Sequence, residues 1–228
     1  MRNIQLAFIS VLVALLLHTT IIANQAPLIG KRYFNLSYGM SKQEHYENNI
    51  SLARLSMNIP ITKKLDLGFG SFQGWIEDNK NKSTEKTQHD YSFFTNLKYH
   101  FLPQSIINPF ILIEIGQVIH HVKNNDPTNE EAIPDSTGLL FANNHKISNS
   151  QSSFQYYYSA SLGEQLIIKD KTCLSMYYTI GSLNNSNYQH VVANIGYWIL
   201  RDLLLDFQFK SHINQSINEF HLISHIRF

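Results

Sequence analysis

His190, His212 and His221 are the residues of this 228-residue chain whose types and spacing come nearest to a reagent. Each falls on the polar side of a segment in which apolar and polar residues alternate, and each lies next to a stretch expected to form a loop. If Ser216 centres a hairpin, His212 and His221 stand directly opposite one another, with Cβ atoms about 4.5–5.5 Å apart. His190 reaches the same level if the turn at Arg201 has an odd number of residues. Three converging imidazoles can hold a divalent ion such as zinc, but a ligand histidine needs an acceptor behind it, and no carboxylate is evident here. The expected state is therefore metal-free, with three polar side chains bonded to neighbours and water, and no cofactor is indicated.

Seven charged residues share those polar faces: Arg54, Asp66, Lys98, Glu114, Asp206, Lys210 and Arg227. If the faces enclose an interior, opposite charges there should pair, because an unpaired buried charge is costly. Such a network reads first as a structural plug and second as the lining of a selective channel.

The elements that must carry these residues are strands. Residues 203–209 alternate Leu203, Leu205, Phe207 and Phe209 with Leu204, Asp206 and Gln208, the period of two that sends side chains to opposite faces of a strand. The alternation resumes in Phe220, Leu222, Ile226 and Phe228 against His221, Ile223, His225 and Arg227. The same pattern recurs upstream, most cleanly from Tyr91 to Phe101, and it blurs past Ser71 through Phe72 and Trp75, where a bulge is expected. About ten strands result, with eight as the alternative. Connections near Lys63, Gln104, Lys169 and Arg201 are short, whereas residues 77–88 and 123–152 form long polar loops.

Composition narrows the class. Net charge is +1 with 15% charged residues, which provides no basic field for nucleic acid. Cys173 is the sole cysteine and can close no intramolecular disulfide, so packing or lipid must stabilise the fold. Residues 1–23 combine an early Arg2, an apolar run and small residues ending at Ala23, the pattern of a cleaved signal peptide, with cleavage after Ala26 as second choice. That leaves 24–228 as one domain with no later apolar run long enough for a membrane helix. Tyr156-Tyr157-Tyr158, Tyr177-Tyr178 and Tyr197-Trp198 are expected at a membrane interface, where an apolar ring keeps a wet polar tip.

An exported chain whose final amphipathic strand ends in Phe228 resembles the small OmpA/OmpX-like outer-membrane β-barrels of Gram-negative bacteria. The resemblance implies an all-β, closed, antiparallel up-and-down transmembrane barrel, with short turns facing the periplasm, long loops outside and an even strand number. It also implies that Phe220, Leu222, Ile226 and Phe228 act as an insertion signal read by the barrel assembly machinery. Ile223 stands where such signals often carry a small residue.

Enzymatic barrels of that class leave recognisable pairs, and this chain lacks them. It contains no Asp-x-Asp, Asp-x-His or His-x-Ser, the patterns that omptin-type proteases and outer-membrane phospholipases would leave. Ser224-His225 is the reverse of the His-Ser pair of lipid A deacylases. The expected protein is thus a non-enzymatic, monomeric surface barrel in outer-membrane lipid, serving envelope integrity or binding an outside ligand through loops 77–88 and 123–152. A narrow porin-like channel is the alternative, and a soluble secreted β-protein or a lipid-surface enzyme comes third.

Overall fold

The computed structural model describes residues 28–43, 50–77, 86–124, 151–168, 171–184, 186–213 and 217–228. The expected signal peptide and most of the two long loops lie outside them. Ten strands follow in chain order: β1 (Tyr33–Gln43), β2 (Ile50–Pro60), β3 (Leu65–Glu77), β4 (Lys86–His100), β5 (Ile107–Asn124), β6 (Gln151–Ile168), β7 (Thr172–Leu183), β8 (Ser186–Leu200), β9 (Leu203–His212) and β10 (Ile217–Arg227). Each pairs antiparallel with its sequence neighbour, and β1 pairs with β10, so the sheet closes into a barrel. Closure leaves no edge strand with unpaired backbone groups, which is what hydrocarbon demands of a spanning sheet.

The period of two decides which face meets which medium. Phe34, Leu36, Tyr38 and Met40 of β1 are exposed outward, as are Ile111, Ile113 and Ile115 of β5 and Phe207 and Phe209 of β9. All four residues of the expected insertion signal lie on this outer face, with Phe220 57%, Leu222 43%, Ile226 47% and Phe228 60% exposed. Phe228 stacks on Phe34 with centroids 4.7 Å apart, and Phe220 lies 5.1 Å from Phe209. An outer face this apolar suits lipid, and the strands are long enough to cross it, since about 9–11 tilted residues suffice.

The wall is uneven. The strands β5 and β6 have 18 residues each, against 11 in β1 and 10 in β9. The ladders that join β3 to β4 and β5 to β6 therefore climb into both expected long loops: Glu77 pairs with Thr87 and Val122 with Gln151. At the other end, Thr62 Oγ1 accepts hydrogen bonds from the Lys64 and Leu65 amides, which fixes the tight turn after Pro60.

Two expectations about the wall are corrected. The ladder runs through β3 to Trp75 on both sides without a shift, so no bulge lies there. The phase blurs because Phe72 faces inward and packs on Ile50 and Leu52. The one register shift among the described pairs falls between Trp198 and Leu200. The aromatic pairs cannot both face lipid either, because adjacent strand residues point oppositely: Tyr156 and Tyr158 are 72% and 64% exposed, while Tyr157 is buried inside. Tyr177 likewise lines the lumen.

Side chains occupy much of the inside, as a barrel of this strand number allows. Toward the loop end, Phe94, Val118, Tyr157 and Leu183 form one apolar cluster with Tyr188 against it, and Ile50, Leu52 and Phe72 form another. Toward the turn end Ile167 and Leu204 are each 2% exposed. A cavity of about 280 Å³ runs along the lumen, lined by Tyr33 and His225 toward one end and by Phe72, His190 and His212 toward the other.

Candidate functional site: the lumen network

The polar faces bring the seven sequence-marked charges inward, but only one pair among them meets. Arg54 Nη2 donates to Glu114 Oε2 at 2.9 Å, joining β2 to β5 across the lumen. The same carboxylate accepts from Asn96 Nδ2 at 3.3 Å and from the Tyr157 hydroxyl at 3.0 Å. The guanidinium lies 3.9 Å from the centroid of the Phe94 ring. Gly116 makes room for this arrangement, since a side chain there would strike the Tyr157 ring.

The other five charges find partners that the sequence did not announce. Asp66 takes His100, with Oδ2 and Nε2 3.2 Å apart, and Asn108 Nδ2 holds the other His100 nitrogen at 2.7 Å. Asp206 faces His225 at 3.4 Å, whose Nδ1 lies 2.6 Å from Asn35 Oδ1. Lys98 meets no carboxylate in an ion pair among the described residues, and its ammonium lies 4.1 Å from the Phe110 ring centroid. Arg227 stands apart at the turn end, bonded to Asp202 Oδ1 at 2.6 Å and to the Arg201 carbonyl. Lys210 pairs with Glu219 at 3.0 Å.

Glu219 is the residue that the sequence reading passed over. It is 2% exposed and lies opposite Lys210 in the β9–β10 ladder. Its Oε1 lies 2.9 Å from His212 Nε2 and its Oε2 lies 3.1 Å from His221 Nε2. The expectation that no carboxylate serves these histidines is therefore corrected. The signal was available: Glu219 has the parity of His221 in the same alternating run, and the strand simply begins earlier than Phe220.

The register of the three histidines is corrected in part. His221 lies opposite Gln208, which leaves His212 nearer the loop end. His190 does lie directly opposite His212, with ring centroids 5.4 Å apart. The turn has only Arg201 and Asp202 between paired residues; the shift between Trp198 and Leu200 supplies the offset that an odd loop would have given. Among the described residues no group of three His, Cys, Asp or Glu side chains is placed to hold a metal ion. The Lys210 ammonium stands on both Glu219 oxygens, where a cation would compete with it.

A fourth carboxylate that holds an imidazole lies near the loop end, where Asp90 Oδ1 is 2.9 Å from His120 Nδ1. Asp66, Asp90, Asp206 and Glu219 thus each hold at least one imidazole. Such pairs fix the orientation of each ring.

No family model matches the chain, and no curated protein is significantly similar in sequence. Among solved structures it is similar to the outer membrane protease OmpT from Escherichia coli, at 10% identity over 92% of this chain and 100% of that one, with a TM-score of 0.48. It is similar also to the translocator domain of autotransporter NalP from Neisseria meningitidis, at 12% identity over 100% and 96% of the two chains, TM-score 0.46. A third is Neisserial surface protein A, at 11% identity over 86% and 94%, TM-score 0.37. These are likenesses of general barrel form and say nothing of what this barrel does.

Proposed function

We propose that this chain is a non-enzymatic, monomeric surface barrel of the outer membrane whose lumen is closed at neutral pH. The observation that carries this reading is the Arg54–Glu114 bridge across the interior, with buried apolar side chains beside it toward the loop end. A pore would need a continuous wet path, and the bridge stands across that path. Function is then left to the outside: envelope integrity, or a ligand contacted through segments 77–88 and 123–152. Loops held on a rigid scaffold are where binding residues concentrate.

The experiment is conductance of the purified full chain in planar bilayers at pH 7.5, after fractionation with the outer membrane and a mobility change on boiling have shown a folded barrel. We expect no steady openings. Steady ion-selective openings would replace this reading with the narrow porin-like channel. The Asp90–His120 pair has the form of an oriented general base, which favours an enzyme. Turnover of ester or peptide probes that His120→Ala abolishes would favour the enzymatic alternative; we expect none. For the last strand, Phe228→Ser should lower the yield of membrane-inserted barrel severalfold if the assembly machinery reads its apolar face.

A further inference from the structure

Imidazoles also meet on the outer wall, away from the lumen. His89 of β4 and His121 of β5 are direct partners in the ladder. The adjoining rung is Asp90 with His120, whose side chains meet inside the barrel at 2.9 Å. Alternation therefore turns His89 and His121 outward together, with Cβ atoms about 4.5–5.5 Å apart.

Neighbouring residues set the level of the pair. Two residues nearer the turns, Tyr91 is 40% exposed on the same face, and the His89 ring stacks on it with centroids 6.4 Å apart. Trp75 of β3 lies beside His89 in the ladder, and its ring centroid is 6.4 Å from that of Tyr38. Tyr and Trp on the outer face of a barrel mark the boundary between lipid and water. The two histidines, both half-buried, thus stand at the wet upper edge of the apolar wall, within reach of ions from outside. The next outward rung toward the loops holds Glu77, Thr87 and Lys123 in ladder order, one charge of each sign, so the surroundings carry no net charge against a metal ion.

His89 Nδ1 is buried and has no hydrogen-bond partner. Buried polar atoms normally have one, and an imidazole lone pair accepts either a proton donor or a metal ion. A ring with no partner on Nδ1 is not pinned to one tautomer, so it can turn a lone pair toward His121.

We propose that His89 and His121 form a two-histidine site for a divalent ion of the zinc class, on the outer face at the loop end of the barrel. Imidazole suits such ions, whereas magnesium and calcium favour carboxylate oxygens, which the rung of Trp75, His89 and His121 does not supply. Two protein ligands leave two positions of a tetrahedral zinc open to water or to a further ligand from outside. The site is independent of whether the lumen conducts.

The test is calorimetric titration of the full chain with zinc, after a chelator has stripped it of metal and a mobility change on boiling has shown it folded. The wild type should bind about one ion more than the double variant His89→Gln, His121→Gln. Each single variant should bind that ion at least about tenfold more weakly, the lower end of what losing even a hydrogen-bonding partner of a ligand costs. Most of the loss should appear with either change alone, because chelation ends with the first ligand. Zinc should also raise the urea midpoint of the wild type and leave that of the double variant where it is. If one single variant fails the mobility check, the other decides. Equal zinc binding by wild type and double variant, or a full-strength site in either single variant, would overturn the proposal and leave only adventitious binding to the chain's other histidines.

Discussion

Glu114 and Glu219 are both inward carboxylates, and they are held in opposite ways. Glu114 takes its cation from Arg54, 60 residues earlier in the chain and three strands away around the wall. Glu219 takes Lys210 from the adjacent strand, nine residues away, and adds two histidines from β9 and β10. The first contact is a strut between opposite walls with one fixed charge on each end. The second is a local knot in which one carboxylate meets three side chains from two adjacent strands. One barrel can therefore have a cross-lumen brace and a local corner knot, and the two should fail differently.

The sharpest way to separate them is to remove one carboxylate at a time. Glu219→Ala strands Lys210, whose side chain is 17% exposed, and should cost about 3–5 kcal/mol in urea unfolding from lipid vesicles. Adding Lys210→Met should recover most of that loss, because the penalty comes from the unpaired charge; a double variant as unstable as the single one would break the account of the knot. Glu114→Gln should cost less, about 1–2 kcal/mol by the same measurement, since the Arg54 side chain is 38% exposed and can find water. Tyr157→Phe removes only the hydroxyl that donates to Glu114 and should cost about 1 kcal/mol. Arg227→Gln, at a turn-end pair with Asp202 57% exposed, should cost under about 1 kcal/mol. If that exposed pair mattered as much as Glu219, burial would not be what sets these energies.

Much of this barrel is legible in the sequence because a strand has only two faces. Once Phe207 and Phe209 point outward, Asp206, Gln208 and Lys210 must point inward, and the same logic places Arg54, Glu114 and His221. Parity also says that Tyr157 and Tyr177 face inward beside outward neighbours, and treating each aromatic run as one belt overlooked it. Partners are another matter, since they depend on register. Whether His212 meets His221 or Gln208 meets it is set by how many residues the β9–β10 connection consumes, and periodicity is blind to that number. The offset that puts His190 opposite His212 comes from a single shift near Trp198. The meeting of Asp66 with His100, rather than with Lys98 directly across the ladder, depends on the tether from Asn108.

The central claim is that the Arg54–Glu114 strut and the packing around it keep the lumen shut, and single-channel recording at pH 7.5 tests it most directly. The wild-type chain should show no steady current, and Arg54→Ser combined with Glu114→Ser, which deletes both ends of the strut without stranding a charge, should show small persistent openings. A wild type that already conducts, or a double variant as silent as the wild type, would contradict the claim.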